Sequence, residues 1–137
     1  MQRIVVPLLV VAVALVACDT DKAQEQAKAK AACTSTPAPI ASTPTLGGFP
    51  AAAGVTYTSV GAAGPSTKVS GFSSASVTDL YNSYKSLLSQ GGFSVTKSEN
   101  DVVDAEVNFS GNHTTGQVKL ANECAGRTSV DITIRPS

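Results

Sequence analysis

Ser76-Val77-Thr78-Asp79-Leu80-Tyr81-Asn82-Ser83-Tyr84-Lys85-Ser86-Leu87-Leu88-Ser89-Gln90-Gly91-Gly92 carries the clearest periodicity in the chain. Val77, Leu80, Tyr81, Tyr84, Leu87 and Leu88 recur at spacings of three and four, which places them on one face of an α-helix. Ser76 suits the N-cap. Asp79, three residues on, completes a capping box and lies at the positive end of the helix dipole. Gly91-Gly92 supplies a left-handed stop. A helix with one apolar face must bury it against a second layer, and the flanking sequence says what that layer is.

Before the helix, Val55-Thr56-Tyr57-Thr58-Ser59-Val60 reads as a strand, residues 61 to 66 with Gly64-Pro65 as a turn, and residues 67 to 72 as a second strand. After it come residues 93 to 98 and then 102 to 110, where Val103, Ala105, Val107 and Phe109 alternate with Asp104, Glu106 and Asn108. Residues 116 to 122 and 130 to 135 alternate again. Period-two alternation marks a sheet with one buried and one wet face. The expected fold is α+β: one amphipathic helix packed on an antiparallel sheet, in the order β-β-α-β-β-β-β, within a single small domain over residues 50 to 137.

Upstream the texture changes. Pro37, Pro39, Pro44 and Pro50 lie among Ser, Thr and Gly, and residues 19 to 32 are helix formers with no apolar stripe wider than alanine. Residues 18 to 49 therefore read as a linker that lifts the domain by about 30 Å. The chain opens with Met1-Gln2-Arg3 and then runs from Ile4 to Ala17 without a charge. Those fourteen positions span only ~21 Å as a helix, short of the ~30 Å hydrocarbon core, so residues 1 to 17 have a signal-peptide layout rather than that of a spanning helix.

The run ends in Leu15-Val16-Ala17-Cys18, which resembles the lipobox of bacterial lipoproteins. The resemblance implies cleavage before Cys18, a diacylglycerol on its thiol, and a mature protein held on the extracytoplasmic face of the cell membrane by acyl chains such as palmitate. In diderm members Asp19 would imply retention at the inner membrane. Each buried CH₂ contributes about 0.8 kcal/mol, so two or three chains hold firmly where one does not.

The chain has ten Lys plus Arg and ten Asp plus Glu. Removal of the leader takes away Arg3, leaving a net charge of minus one and no basic patch for nucleic acid. Of three cysteines, lipidation takes Cys18 and leaves Cys33 and Cys124 as an even pair in an oxidising compartment. A disulfide between them would close a loop of about ninety residues and stabilise the fold by roughly 4 to 5 kcal/mol on the chain-entropy model. Two free thiols that never meet are the alternative, since proximity is not legible in sequence.

Candidate chemistry is sparse. His113, the single histidine, lies in Gly111-Asn112-His113-Thr114-Thr115-Gly116, a hairpin tip with no Gly-x-Ser-x-Gly elbow elsewhere to serve. Glu99, Asp101, Asp104 and Glu106 crowd one stretch but match no EF-hand loop, and read as a solvated face rather than a metal site. Tyr81 and Tyr84 read as core. There is no phosphate-binding glycine loop, no Cys-x-x-Cys pair and no cofactor motif. The expectation is a non-enzymatic module that binds an envelope protein or glycan through the wet sheet face or the loops. The alternative is a carrier of a small molecule or lipid with a cavity between helix and sheet.

Overall fold

The computed structural model describes residues 30 to 137. The leader, the lipobox with Cys18, and most of the run from 19 to 32 lie outside the described residues. Six strands and one helix follow in chain order: β1 (Thr56–Ala63), β2 (Ser66–Ser73), α1 (Val77–Gln90), β3 (Ser94–Asn100), β4 (Asp104–Gly111), β5 (Thr114–Cys124) and β6 (Arg127–Pro136). The strands make one sheet in the order β1-β2-β6-β5-β4-β3, antiparallel at every pairing. The fold is α+β and mostly sheet. The helix is the crossover that carries the chain from β2 to the far edge at β3.

The helix ends are closed by residues that also stand next to them in sequence, through a side chain at the start and through backbone bonds at the stop. Ser76 is extended at φ −66°, ψ 159°, and its Oγ accepts from the Asp79 amide at 3.1 Å while donating to the Asp79 carboxylate at 2.7 Å. At the other end Gly92, at φ +79°, takes the left-handed position. The Phe93 amide then reaches the Leu88 carbonyl at 2.9 Å and the Gly92 amide the Ser89 carbonyl at 3.3 Å, the paired bonds of a Schellman stop.

The register aligns one apolar layer across the sheet. Val69, Ile132, Val118 and Val107 face one another on β2, β6, β5 and β4, and none is more than 1% exposed. Gly71, Val130, Leu120 and Ala105 form the next row. Val77, Leu80, Tyr84 and Leu88 of α1 are buried over this face.

α1 does not cover all of it. Its contacts run to β3, β4 and β5, yet Val69, Val130 and Ile132 on β2 and β6 are as fully buried as their neighbours. The cover there comes from residues ahead of β1: Phe49 and Ala52 are buried, and Ile40, Leu46 and Val55 pack against the same core. Phe49 sits between helix and sheet, with ring centroids 6.1 Å from Tyr84, 5.2 Å from Phe109 and 6.4 Å from Phe93. The amide of Ile40 donates to the Tyr57 carbonyl at 2.9 Å.

Chain ahead of the domain expected over residues 50 to 137 packs against it, with Ile40, Leu46 and Phe49 on the core. The proline-rich stretch expected to stand off as a linker instead lies against the domain, because a sheet of six strands is too wide for one helix and the exposed apolar half must be closed. Residues 30 to 32 are not helical. Among the described residues no helix is long and apolar enough to cross a membrane.

Candidate functional site: the open face of the sheet

The strands turn every second side chain away from the core, and among the described residues none of these outward side chains on β4, β5 and β6 is buried. The register orders them in rows. Glu99, Glu106, Lys119, Asp131 and Ser70 lie side by side across β3, β4, β5, β6 and β2. Lys97, Asn108, Gln117, Thr133 and Lys68 form the adjacent row. Cross-strand neighbours of this kind pair through their side chains.

Most of the charges in these rows are matched within the face. Lys97 meets Glu99 at 2.9 Å, Lys68 meets Asp131 at 3.4 Å, and Lys119 approaches Glu106 at 3.8 Å. The Ser70 hydroxyl donates to Asp131 at 2.6 Å. The Lys97 ammonium is held protonated above its ordinary range by its hydrogen bond to Glu99. Amides continue the network: Gln117 Nε2 donates to Asn108 Oδ1 at 3.0 Å, and Asn108 Nδ2 to Glu106 Oε1 at 2.6 Å. Exposed pairs of this type are screened by solvent and contribute little to folding, so the face is not what holds the domain together.

Among the shallow depressions on this face, two lie over the rows of β4, β5 and β6. One, of about 350 Å³, is lined by Glu99, Asp104, Glu106, Lys119 and Asp131, and has an acidic excess. The other, of about 410 Å³, is lined by amide and hydroxyl groups of Asn108, Gln117, Thr115, Thr133 and Ser110, with Arg135 at its rim. The first can receive a cationic or hydrogen-bonding group and the second a neutral or anionic one.

The sequence-nominated residues distribute as follows. Glu99, Asp104 and Glu106 share the acidic depression, whereas Asp101 lies in the β3–β4 turn, its amide bonded to the Asp104 carbonyl at 2.8 Å. Among the described residues no group of three or more His, Cys, Asp or Glu side chains is arranged to hold a metal ion. His113 is exposed at the tip of the β4–β5 hairpin. With Asn112 it adopts positive φ, +58° and +49°, as a type I′ turn requires. Its carbonyl accepts from the Ser137 amide at 2.9 Å.

The two helix tyrosines part company. Tyr84 is in the core, where burial first and the neighbouring Tyr57 phenol second push its pKa well above the usual tyrosine value. Tyr81 is half-buried: its hydroxyl donates to Ser98 Oγ at 3.0 Å and accepts from Lys85 Nζ at 3.3 Å. Its pKa is lowered, first because the Ser98 hydroxyl can turn to donate to the phenolate, against the opposing effect of desolvation, and then because of Lys85.

Cys33 and Cys124 are joined in a disulfide, with Cα atoms 5.2 Å apart and a separation of 91 in sequence. Beside it sits a residue the sequence reading passed over, Arg127. Its guanidinium grips the Glu123 carboxylate at 2.9 and 3.2 Å, donates to the Ser35 carbonyl, and lies 5.5 Å over the Phe72 ring. Phe49 was equally silent, though a lone aromatic closing a proline-rich stretch is the kind of signal that marks a docked segment. Set against known proteins, the chain matches no protein-family model, no curated protein and no solved structure.

Proposed function

We propose that this chain is an exported bacterial lipoprotein, held on the extracytoplasmic face of the membrane by acyl chains on Cys18, whose domain is a non-enzymatic module that binds an envelope protein or glycan through the open sheet face. The observation that carries the binding half is the face itself: the outward side chains of β4, β5 and β6 are mostly polar, and among the described residues none of them is buried. The anchoring half rests on Leu15-Val16-Ala17-Cys18 behind its uncharged apolar run. A disulfide between the remaining two cysteines is in keeping with an oxidising compartment.

The carrier reading draws less support. Phe49, Tyr84 and Leu88 are packed onto Val107, Val118 and Ile132, so side chains occupy the space between helix and sheet where a carried molecule would sit.

The test has two arms. Labelled palmitate should enter the wild-type protein in cells and should not enter Cys18→Ser; incorporation into neither, with the protein still membrane-bound, refutes the anchor. A photocrosslinker at Gln117 should capture a discrete envelope partner that one placed on the helix at Asn82 does not. Identical yields from the two positions refute the sheet face.

A further inference from the structure

The disulfide has a definite place in the sheet. Cys124 closes β5 where β6 begins, and the strand order puts β5 and β6 in the middle of the sheet. At that end the Ala125 amide also donates to the Ala31 carbonyl at 3.0 Å, and Arg127 holds the Ser35 carbonyl. The opposite end carries the Gly64-Pro65 and Asn112-His113 turns and the C-terminus, with Ser137 bonded to His113. β5, eleven residues long, runs from one end to the other, a distance of roughly 35 Å at about 3.3 Å per residue.

We propose that the Cys33–Cys124 disulfide is an orienting clamp. It makes the chain leave the domain from the centre of one sheet end, so that this end faces the bilayer and the turn-bearing end, with the amide- and hydroxyl-lined depression beside it, is presented outward. The inference rests on reading Cys18 as the lipid anchor. Cys18 and Cys33 are fifteen positions apart, and fully extended that stretch reaches at most ~54 Å.

Without the disulfide the next firm hold is Ile40, packed on the core and bonded to Tyr57 of the edge strand. The single hydrogen bonds to Ala31 and Ser35 are too weak to replace a covalent link. The limit of reach then grows to ~79 Å, and the exit point moves from the middle of that sheet end to its β1 corner. Oxidised, the clamp favours a partner standing off the bilayer over one embedded in it.

Full-length lipidated protein bound to phosphatidylcholine vesicles tests this, with a fluorophore on an azide-bearing residue at Ala125 or at Ser137 and an energy acceptor on the lipid headgroups. Transfer should be stronger from position 125 than from 137 in the disulfide-bonded protein, and the difference should narrow in Cys33→Ser/Cys124→Ser, where the longer tether lets the domain tip. Equal transfer from the two positions in the native protein overturns the clamp, as does a difference that survives unchanged in the folded double variant. If the variant does not fold, the native two-site comparison decides alone. Protein that takes up no palmitate and does not bind vesicles would sink the lipoprotein reading instead.

Discussion

Tyr84 buries its hydroxyl completely, and that oxygen has no hydrogen-bond partner among the described residues. A buried polar group left unpaired costs about 1 to 3 kcal/mol. Tyr84→Phe should therefore raise stability, by about 1 kcal/mol in urea unfolding; a loss of stability would mean that the hydroxyl is satisfied in solution. The raised pKa fixes the sign of a second effect. The unfolded chain ionises this phenol near its ordinary value while the native state keeps it neutral, so stability is fully present below about pH 10 and falls as the pH climbs above it. In the phenylalanine variant the alkaline fall should be shallower. Gly116 is a residue-scale constraint of the opposite kind. A Cβ there would run into the Phe109 ring and come within 2.6 Å of the Thr133 carbonyl. Gly116→Ala should cost about 1 to 3 kcal/mol, the range for overpacked sites.

At the scale of elements, helix and sheet were legible because each repeats its pattern within a dozen residues. The spacing of Leu80, Tyr84 and Leu88 and the alternation of Ala105, Val107 and Phe109 are local properties of the chain, and burial followed them. The cap was legible too, and Ser76→Ala should cost about 1 kcal/mol. What escaped was the segment from Ile40 to Val55. It has no periodicity, and its prolines imitate a linker, yet it forms the second half of the core's lid. Phe49→Ala should cost about 3 to 5 kcal/mol, as for a large aromatic removed from a packed interior. A change under 1 kcal/mol by thermal or urea unfolding would show that the segment merely rests on the surface.

For the whole molecule, the 91-residue separation of Cys33 and Cys124 makes the disulfide a strong constraint on the unfolded chain. Reduction should lower stability by up to about 4 to 5 kcal/mol on the chain-entropy model. That loss, measured by urea titration with and without reductant, should exceed the loss from Arg127→Ala, which breaks the neighbouring bonds to Glu123 and Ser35 but leaves the covalent link. The open face belongs to this scale as well. Its residues were individually visible as the polar half of each alternating strand, but the rows that bring Glu106 beside Lys119 and Asn108 beside Gln117 exist only once the register is set.

Local sequence is enough for the helix and its stops, for the two-faced character of the strands, and for the shortness of the apolar run from Ile4 to Ala17. Each of these is written in neighbouring residues, whose periodicity, capping and charge act over a few ångströms of chain. Only the tertiary structure decided that Phe49 closes the core, that Cys33 lies beside Cys124, that Arg127 bridges Glu123, Ser35 and Phe72, and which polar side chains share a depression. Those contacts join residues tens of positions apart, and their formation depends on strand order, register and the width of sheet left uncovered by the helix, none of which any single segment encodes.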